Sequence, residues 1–143
     1  MICTFFGHKD TSDILRDKLK TAIEGLIVSH GVKMFYVGNN GAFDSLVQHT
    51  LDEIEKEYPE ISFCVVLSYL GERTLPPVQD KTVFPEGQEN ALPRYAISKR
   101  NTWLINHSDF VICYVKHKFS NSYKWLEKAG KKGLTVINLA DLN

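Results

Sequence analysis

The sequence of 143 residues lacks the features that mark several large classes of protein. No apolar run approaches the roughly 18–20 residues that a membrane-spanning helix needs. The N-terminal stretch MICTFFGHKD has no basic segment followed by an apolar one, as a secretion signal has. No repeat, low-complexity segment or linker divides the chain. We therefore expect a cytoplasmic protein without membrane contact, with a single domain over residues 1–143.

Cysteine is scarce, and the histidines show no metal-binding pattern. Each of the three cysteines lies in an apolar, β-like run, and no CxxC pair occurs. Such cysteines are typical of buried side chains in a reducing compartment. The four histidines beyond His8 lack metal-ligand spacing, so the sequence predicts no metal site.

Net charge is also absent, because 17 Lys and Arg residues balance 17 Asp and Glu residues. A protein built mainly to bind nucleic acid normally carries a basic excess, so nucleic acid is not the expected partner. The charges are unevenly spread, since residues 44–60 are mainly acidic where charged and residues 94–132 are mainly basic. Two interpretations stay open: two solvated helix faces of opposite sign, or a basic side that attracts a phosphorylated ligand.

The sequence does contain a regular alternation of β-like and helix-like segments. Apolar, β-branched runs predict strands at residues 2–6, 32–37, 61–70, 110–115 and 134–139. Helical spacing of apolar residues predicts helices within residues 12–30, 43–58, 94–106 and 122–129. This order predicts an α/β fold: a single Rossmann-like, three-layer domain with a mostly parallel sheet of about five strands and helices on both faces.

The long stretch 71–93 contains four of the five prolines of the chain. A loop of this length inside a compact domain is often a lid or a binding loop, although a plain surface excursion fits equally well. If it is a lid, we expect it to close over a ligand with Tyr69 at its base and Glu86 within it.

The tetrapeptide Gly38-Asn39-Asn40-Gly41 ends a predicted strand and precedes a predicted helix. Free backbone N–H groups at such a helix start can hold a phosphate. The alternative is a tight turn that needs glycine for its backbone conformation. Neither the dinucleotide fingerprint GxGxxG nor the phosphate-loop motif GxxxxGK(S/T) is present. Asp44, in the first turn of the helix, could interact with the helix dipole or accept hydrogen bonds from a ribose.

Two further groups of residues carry possible chemistry. Gly7, His8 and Lys9 follow the first predicted strand and offer a glycine, an imidazole and a cation to a phosphate, or else form a surface turn. Arg100 lies among apolar neighbours and is followed by Asn101. Because a buried guanidinium normally needs an anionic partner, Arg100 predicts either an anionic ligand or a nearby carboxylate.

Taken together, these motifs resemble those of a known family. The segments CTFFGHKD, FYVGNNGAFDSLV, VVLSYL, FPEG, RYAISKRNTWLINHSDFVICYV and GLTVINL run in order over nearly the whole chain. They resemble the small bacterial proteins of the SLOG superfamily, which is named after the DprA/Smf DNA-processing proteins and the LOG cytokinin-activating enzymes. The resemblance implies a Rossmann-like domain that binds nucleotides or nucleotide-derived ligands across its glycine loops. Gly7 and His8 match the family's GH motif, and Arg100 and Asn101 match its RN motif.

One departure from the LOG pattern concerns catalysis. LOG enzymes have a PGGxGTxxE motif after the fourth strand, where this chain reads VKHKFSNS at residues 115–122. The glycine pair and the motif's Glu are missing, so hydrolysis by the LOG mechanism is not expected and no catalytic residue is assigned. Ser120, Asn121 and Ser122 can still hydrogen-bond a phosphate at a helix N-terminus.

We therefore expect a protein that binds or senses a nucleotide-derived small molecule, similar to ADP-ribose, NAD or a nucleoside phosphate. No cofactor is assigned, and the resemblance implies self-association as a homodimer. The predicted ligand-binding residues are Gly7, His8, Lys9, Gly38, Asn39, Gly41, Ala42, Asp44, Arg100, Asn101, Ser120, Asn121 and Ser122.

Two alternatives stay open. The first is an enzyme that cleaves N-glycosidic bonds, for which Asp44 or Glu86 would supply the carboxylate. The second is single-stranded DNA handling by the basic C-terminal third, as in DprA, although zero net charge and few stacking aromatics argue against it.

Overall fold

The structure of the chain is a computed structural model that describes residues 1–8, 13–72, 74 and 80–140. Within these residues the strands are β1 (Ile2–Gly7), β2 (Met34–Val37), β3 (Ser62–Val66), β4 (Thr82–Val83), β5 (Phe110–Tyr114) and β6 (Thr135–Asn138). The α-helices are α1 (Arg16–His30), α2 (Ala42–Glu57), α3 (Ala96–Asn106) and α4 (Asn121–Lys131).

The helices form where apolar residues recur on one side. In α2, Phe43, Val47, Leu51 and Ile54 follow this spacing, and all four are buried. The strands form where apolar residues are continuous, and β1 is buried along its middle four positions. Continuous burial of this kind is expected of a strand in a parallel sheet that is covered on both faces.

The strands form one parallel sheet in the order β4-β3-β2-β1-β5-β6. From β1 the chain adds strands on one side as far as β4, then crosses to the other side of β1 to place β5 and β6. The strand order therefore reverses between β1 and β5. In open parallel sheets, ligands bind beyond the carboxyl ends of the strands at such a reversal.

Helices cover both faces of the sheet. On one face, α1 and α2 pack against Phe5, Phe35 and Phe63. On the other, α3 and α4 pack against Phe6 and Val111. Three layers around a Rossmann-like parallel sheet are thus the architecture that the alternation of elements predicted.

The sheet differs from the prediction in its number of strands. It has six strands within the described residues, because Thr82–Val83 in the long stretch 71–93 pairs with Val65 and Val66 at the edge. A strand of two residues is too short to show alternation, so the sequence did not reveal it. The run 61–70 was predicted as one strand, but β3 ends at Val66 and the chain turns soon afterwards.

None of the helices in the described part of the chain is both long and apolar enough to cross a lipid bilayer. Of the cysteines, Cys3 and Cys113 are buried and Cys64 is partly buried.

Candidate functional site

A cleft of about 690 Å³ opens at the carboxyl end of the sheet. It is bounded by the ends of β1 and β2, by the start of α2, by one side of α3 and by the start of α4. Its size falls within the roughly 300–1,000 Å³ typical of small-molecule sites. The cleft therefore lies where the reversal of strand order places ligand sites in this type of fold.

One end of the cleft carries a buried carboxylate at the start of α2. Asp44 is 9% exposed, and its Oδ2 accepts a hydrogen bond of 2.9 Å from the backbone N–H of Asn40. That N–H is therefore already occupied, and the carboxylate stands where an anion would otherwise approach the N-terminus of α2. This end of the cleft is better suited to hydroxyl groups than to phosphate.

Arg100 lies beside Asp44 and is 3% exposed, as its apolar sequence context predicted. Its Nη1 donates to the carbonyl of Val66 at 2.9 Å, and its Nε donates to Oδ1 of Asn101 at 3.0 Å. Burial lowers the pKa of Arg100, and the negative charges of Asp44 and Glu72 oppose that change.

The same surroundings act on the carboxyl group of Asp44. Burial raises the pKa of Asp44 to about 6, and the charge of Arg100 and the hydrogen bond from Asn40 partly offset the increase. The charge of Glu72 raises the pKa of Asp44 further. A carboxyl group in a cleft with a pKa near neutrality can exchange a proton at ordinary pH.

Two glycines allow this arrangement. A Cβ at Gly38 would lie 2.7 Å from Oδ2 of Asp44 and 2.8 Å from Nη1 of Arg100, so no larger side chain fits between the strand end and these two groups. Gly41 is the N-cap residue just before α2 and has a φ of 92°, which L-residues rarely adopt. The turn interpretation of this tetrapeptide therefore has a clear physical basis.

Glu72 was not singled out from the sequence. Its Oε1 accepts a hydrogen bond of 2.6 Å from the hydroxyl of Ser68, and its Oε2 is buried without a hydrogen-bond partner among the described residues. Asn40 belongs to the tetrapeptide 38–41 but was not among the predicted ligand-binding residues; it lines the cleft, and its Nδ2 is likewise buried and unpaired within the described part of the chain. Buried, unpaired polar atoms are uncommon and often mark a position that a ligand or water satisfies.

The N-terminus of α4 also borders the cleft, and α4 lies on the other face of the sheet from α2. Ser120 caps this helix, because its Oγ accepts a hydrogen bond of 3.2 Å from the N–H of Tyr123. The Oγ of Ser122 donates to the carbonyl of Gly7 at 3.1 Å and so ties α4 to the end of β1. Lys124 and Lys128 also line the cleft. A helix N-terminus with a lysine in its first two turns favours anions, and Lys124 fits this description.

His8 connects the ends of β1 and β5. Its Nε2 accepts a hydrogen bond of 2.9 Å from the backbone N–H of Lys116, and its ring lies 5.8 Å from the rings of Tyr114 and His117. A nitrogen that accepts a hydrogen bond carries no proton, so this geometry corresponds to an imidazole protonated at Nδ1 alone.

The structure brings most of the predicted site residues together. Those that line the cleft are Gly7, His8, Gly38, Asp44, Arg100, Asn101, Ser120, Asn121 and Ser122. Asn39, Gly41 and Ala42 belong to the turn at the start of α2 but do not line the cleft. Tyr69 and Glu86 are exposed and do not line it either. Lys9 lies outside the described residues.

The lysines of α4 were missed individually, although the basic character of this part of the sequence was noted. Lys124 and Lys128 are three and seven residues after Asn121. Residues at this spacing lie on the same side of a helix, so the sequence could have placed both lysines on the side of α4 that carries Asn121. Trp125, four residues after Asn121, also lines the cleft and was also missed.

The acidic and basic parts of the sequence differ in their ion pairs. The acidic residues of α2 pair with Arg16, Lys20 and Lys56 nearby and with Lys81 next to β4. Among the residues that the structure describes, no ion pair involves a lysine of α4. The acidic stretch is thus largely neutralised, while the positive charge near the cleft is not. No group of three or more potential metal ligands occurs within the described ranges.

Comparison with known proteins agrees with the fold. No protein-family model and no curated protein sequence matches the chain. Among solved structures, DNA processing protein A (DprA) from Streptococcus pneumoniae is similar, with a TM-score of 0.66 at 15% sequence identity. The similarity covers 95% of this chain and 49% of that protein, so the chain spans about half of its length. The chain therefore has the DprA-like, Rossmann-like fold that the resemblance to SLOG proteins implied.

Proposed function

We propose that the cleft binds a nucleoside phosphate or a small molecule derived from one. The observation that carries this proposal is the chemical difference between the two ends of the cleft. One end has a helix N-terminus with Lys124, and the other has the carboxyl group of Asp44 with the unpaired amide of Asn40. A nucleotide has the same polarity, with an anionic phosphate at one end and sugar hydroxyls and a base at the other.

The phosphate is assigned to the start of α4. The backbone N–H groups of the first turn point towards the cleft end of the helix, and Lys124 adds a positive charge beside them. The turn at residues 38–41 is the other candidate that the sequence suggested. It has one N–H occupied by Asp44, whose carboxylate would repel a phosphate when ionised.

The sugar and base are assigned to the α2 and α3 side. Asp44 can accept hydrogen bonds from ribose hydroxyls, and the Nδ2 of Asn40 can donate to a ring oxygen or a base. Ile97 of α3 lines the cleft, is exposed and supplies apolar surface for a base. Arg100 is held by Val66 and Asn101, so its role is to fix the end of β3 in place. Its positive charge also acts on the carboxyl group of Asp44.

Thermal unfolding with added ligands tests this proposal. The panel is AMP, ADP, ADP-ribose and NAD, with adenosine as the control that lacks phosphate and a short single-stranded oligonucleotide as the DNA-binding control. A ligand at 100 times its dissociation constant should add about 2.7 kcal/mol to the free energy of unfolding, or about 5–10 °C for a domain of this size.

Two lysine variants make the test specific to the assigned phosphate position. Lys124→Ala should reduce the shift caused by AMP, whereas Lys18→Ala, an exposed position on α1, should leave it unchanged. If adenosine shifts the midpoint as far as AMP does, or if no nucleotide shifts it, the proposal is wrong. A shift by the oligonucleotide alone that disappears at high salt would point to DNA handling.

The raised pKa of Asp44 supports a second candidate function, the hydrolysis of an N-glycosidic bond. In that reaction water adds to the anomeric carbon, the carbon–nitrogen bond breaks, and the departing base takes up a proton. Because the pKa of Asp44 is raised to about 6, its carboxyl group could deliver that proton or accept one from water.

Release of free base from nucleoside monophosphates, followed by chromatography, tests this candidate. Asp44→Asn should lower the rate by roughly 10²–10⁴-fold, the usual contribution of a general acid or base. Glu86→Gln should have no effect, because Glu86 is exposed and does not line the cleft. Failure of the unmodified protein to release base from any ribo- or deoxyribonucleotide would rule out hydrolysis while leaving binding intact.

A further inference from the structure

A second, smaller cavity lies between α3 and α4, next to the cleft. It has a volume of about 250 Å³. Ile105, which is 4% exposed, and Trp125 supply its apolar surface, and Thr102 and Asn106 of α3 lie along one side. We call this cavity the α3–α4 groove.

The groove and the cleft are neighbours that share two residues of α4. Trp125 and Lys128 line both cavities. The indole of Trp125 stacks on Phe6, which itself lines the cleft, with ring centroids 6.0 Å apart and an interplanar angle of 17°. Nζ of Lys128 lies 4.4 Å from the centroid of Trp125. A ligand that extends from the cleft along α4 therefore enters the groove by passing over these two side chains.

The charge of the groove is positive. Lys128, Lys131 and Lys132 line it together, and no Asp or Glu is among its described lining residues. The complementary ligand group is therefore a flat, apolar ring system attached to an anionic group. A nucleobase with an adjoining phosphate has this combination.

The groove is large enough for only part of a small-molecule ligand. Sites for whole small molecules usually measure roughly 300–1,000 Å³, so the cleft suits a complete nucleotide and the groove suits only a portion of one. Lys128 lies about two helical turns after Asn121, or roughly 10 Å along the axis of α4. A ligand that contacts both the start of α4 and the groove is therefore longer than one phosphate group.

We propose that the α3–α4 groove is a second subsite, which holds the distal nucleoside of a dinucleotide whose first nucleotide occupies the cleft. Lys128 contacts the phosphate that joins the two halves, and the distal base packs against Trp125 and the methylene groups of Lys131 and Lys132. This assignment rests on the nucleotide-binding function proposed above and narrows its ligand to two nucleosides joined through phosphate.

Isothermal titration compares ligands with one and two nucleosides. AMP fills the cleft alone, while NAD and 5′-phosphorylated diadenylate carry a second nucleoside, joined through a pyrophosphate and a phosphodiester respectively. Packing of one base on an aromatic side chain should make at least one of the two dinucleotides roughly tenfold or more tighter than AMP. Which of them gains affinity identifies the linkage.

Substitutions at Thr102 test whether the tighter binding of the dinucleotide comes from the groove. Thr102 is exposed and lines the groove but not the cleft, so Thr102→Phe should fill the groove without disturbing the fold. Thr102→Phe should make the dinucleotide bind no more tightly than AMP and leave the affinity for AMP unchanged. Thr102→Ala is the matched control; it loses the hydrogen bond to the carbonyl of Ser98 but leaves the groove open, and should keep the advantage. Lys131→Ala should reduce the advantage without filling the groove.

The outcomes separate this inference from the proposed function. If AMP binds and neither dinucleotide binds more tightly, the groove is not a subsite, although nucleotide binding stands. The same conclusion follows if the dinucleotide keeps its advantage in Thr102→Phe. If neither AMP nor the dinucleotides bind, both the proposed function and the subsite are wrong.

Discussion

At the scale of single residues, Asp44 gives the protein a pH dependence that can be measured without a ligand. Burial raises its pKa from the usual 3.8 to about 6, so the folded protein keeps a proton that the unfolded chain loses between about pH 4 and pH 6. The unfolded state therefore binds fewer protons in this window, and the free energy of unfolding falls as the pH rises through it. The size of this contribution is on the order of 1–3 kcal/mol.

Urea denaturation at a series of pH values from 4 to 7 measures this effect. Asp44→Asn should remove most of the decline, because an amide does not ionise and its oxygen can still accept the hydrogen bond from Asn40. Asp17→Asn, at an exposed position on α1, should keep the slope of the unmodified protein. Equal slopes for Asp44→Asn and the unmodified protein would show that Asp44 titrates normally.

A second prediction at this scale concerns Gly38, where the backbone approaches both Asp44 and Arg100. Gly38→Ala should lower the free energy of unfolding by about 1–3 kcal/mol, because the new methyl group displaces these two buried groups. Gly25→Ala is the matched control; it lies on α1 with nothing within 4 Å of its Cβ position, and should raise stability by about 0.5–1 kcal/mol. Chemical denaturation measures both, and a stabilising Gly38→Ala would contradict the packing described here.

At the scale of elements, the start of α4 combines helix capping with the proposed phosphate site, and two substitutions of Ser120 separate these roles. Ser120→Ala should cost about 1 kcal/mol of stability, because the N–H of Tyr123 loses its partner. Ser120→Asp should keep stability, since aspartate is also a good N-cap. It should nevertheless weaken AMP binding at least roughly tenfold, because its carboxylate lies beside the bound phosphate.

Denaturation together with calorimetric titration of AMP distinguishes the two effects. If Ser120→Asp binds AMP as tightly as the unmodified protein does, the phosphate does not lie at the start of α4. The turn at residues 38–41 would then be the remaining candidate for the phosphate.

The elements also explain how much of this molecule could be predicted from its sequence. The central strands were predictable because strands covered on both faces are continuously apolar, and the helices were predictable from their apolar spacing. Gly7 and Gly38 could be singled out because they follow the ends of predicted strands, where parallel sheets bind ligands. Asp44 could be singled out because it lies in the first turn of the helix that follows Gly38.

Other parts of the site depend on contacts that no local pattern contains. Glu72 comes near Asp44 only because β3 ends at Val66 and the chain turns back, whereas the apolar run continues to Leu70 and conceals the turn. Similarly, Lys124 and Lys128 face the cleft because α4 buries Ala129 against the sheet, and that orientation is decided by tertiary packing. The alternation of strands and helices predicted the fold, and the resemblance to SLOG proteins implied the same fold. The chemistry of the cleft required the structure.

At the scale of the whole molecule, the sheet joins two layers of helices whose charges and apolar clusters differ. The layer of α1 and α2 contains the ion pairs that involve Arg16 and Lys20. The layer of α3 and α4 carries lysines that form no ion pair within the described part of the chain, and both tryptophans pack there. Because the same strands form the middle of both apolar clusters, neither layer has a core of its own.

This shared core predicts that the two layers unfold together. Leu51→Ala, fully buried in the layer of α1 and α2, should lower the free energy of unfolding by about 2–5 kcal/mol. Tryptophan fluorescence should report the whole loss, although Trp103 and Trp125 lie on the other side of the sheet. Circular dichroism and fluorescence should then give one coincident transition. Val28→Ala, at an exposed position on α1, is the control and should move neither curve appreciably. If Leu51→Ala shifted the dichroism midpoint while the fluorescence midpoint stayed in place, the layers would be separate units, and the cleft between β1, α2 and α4 could not be rigid.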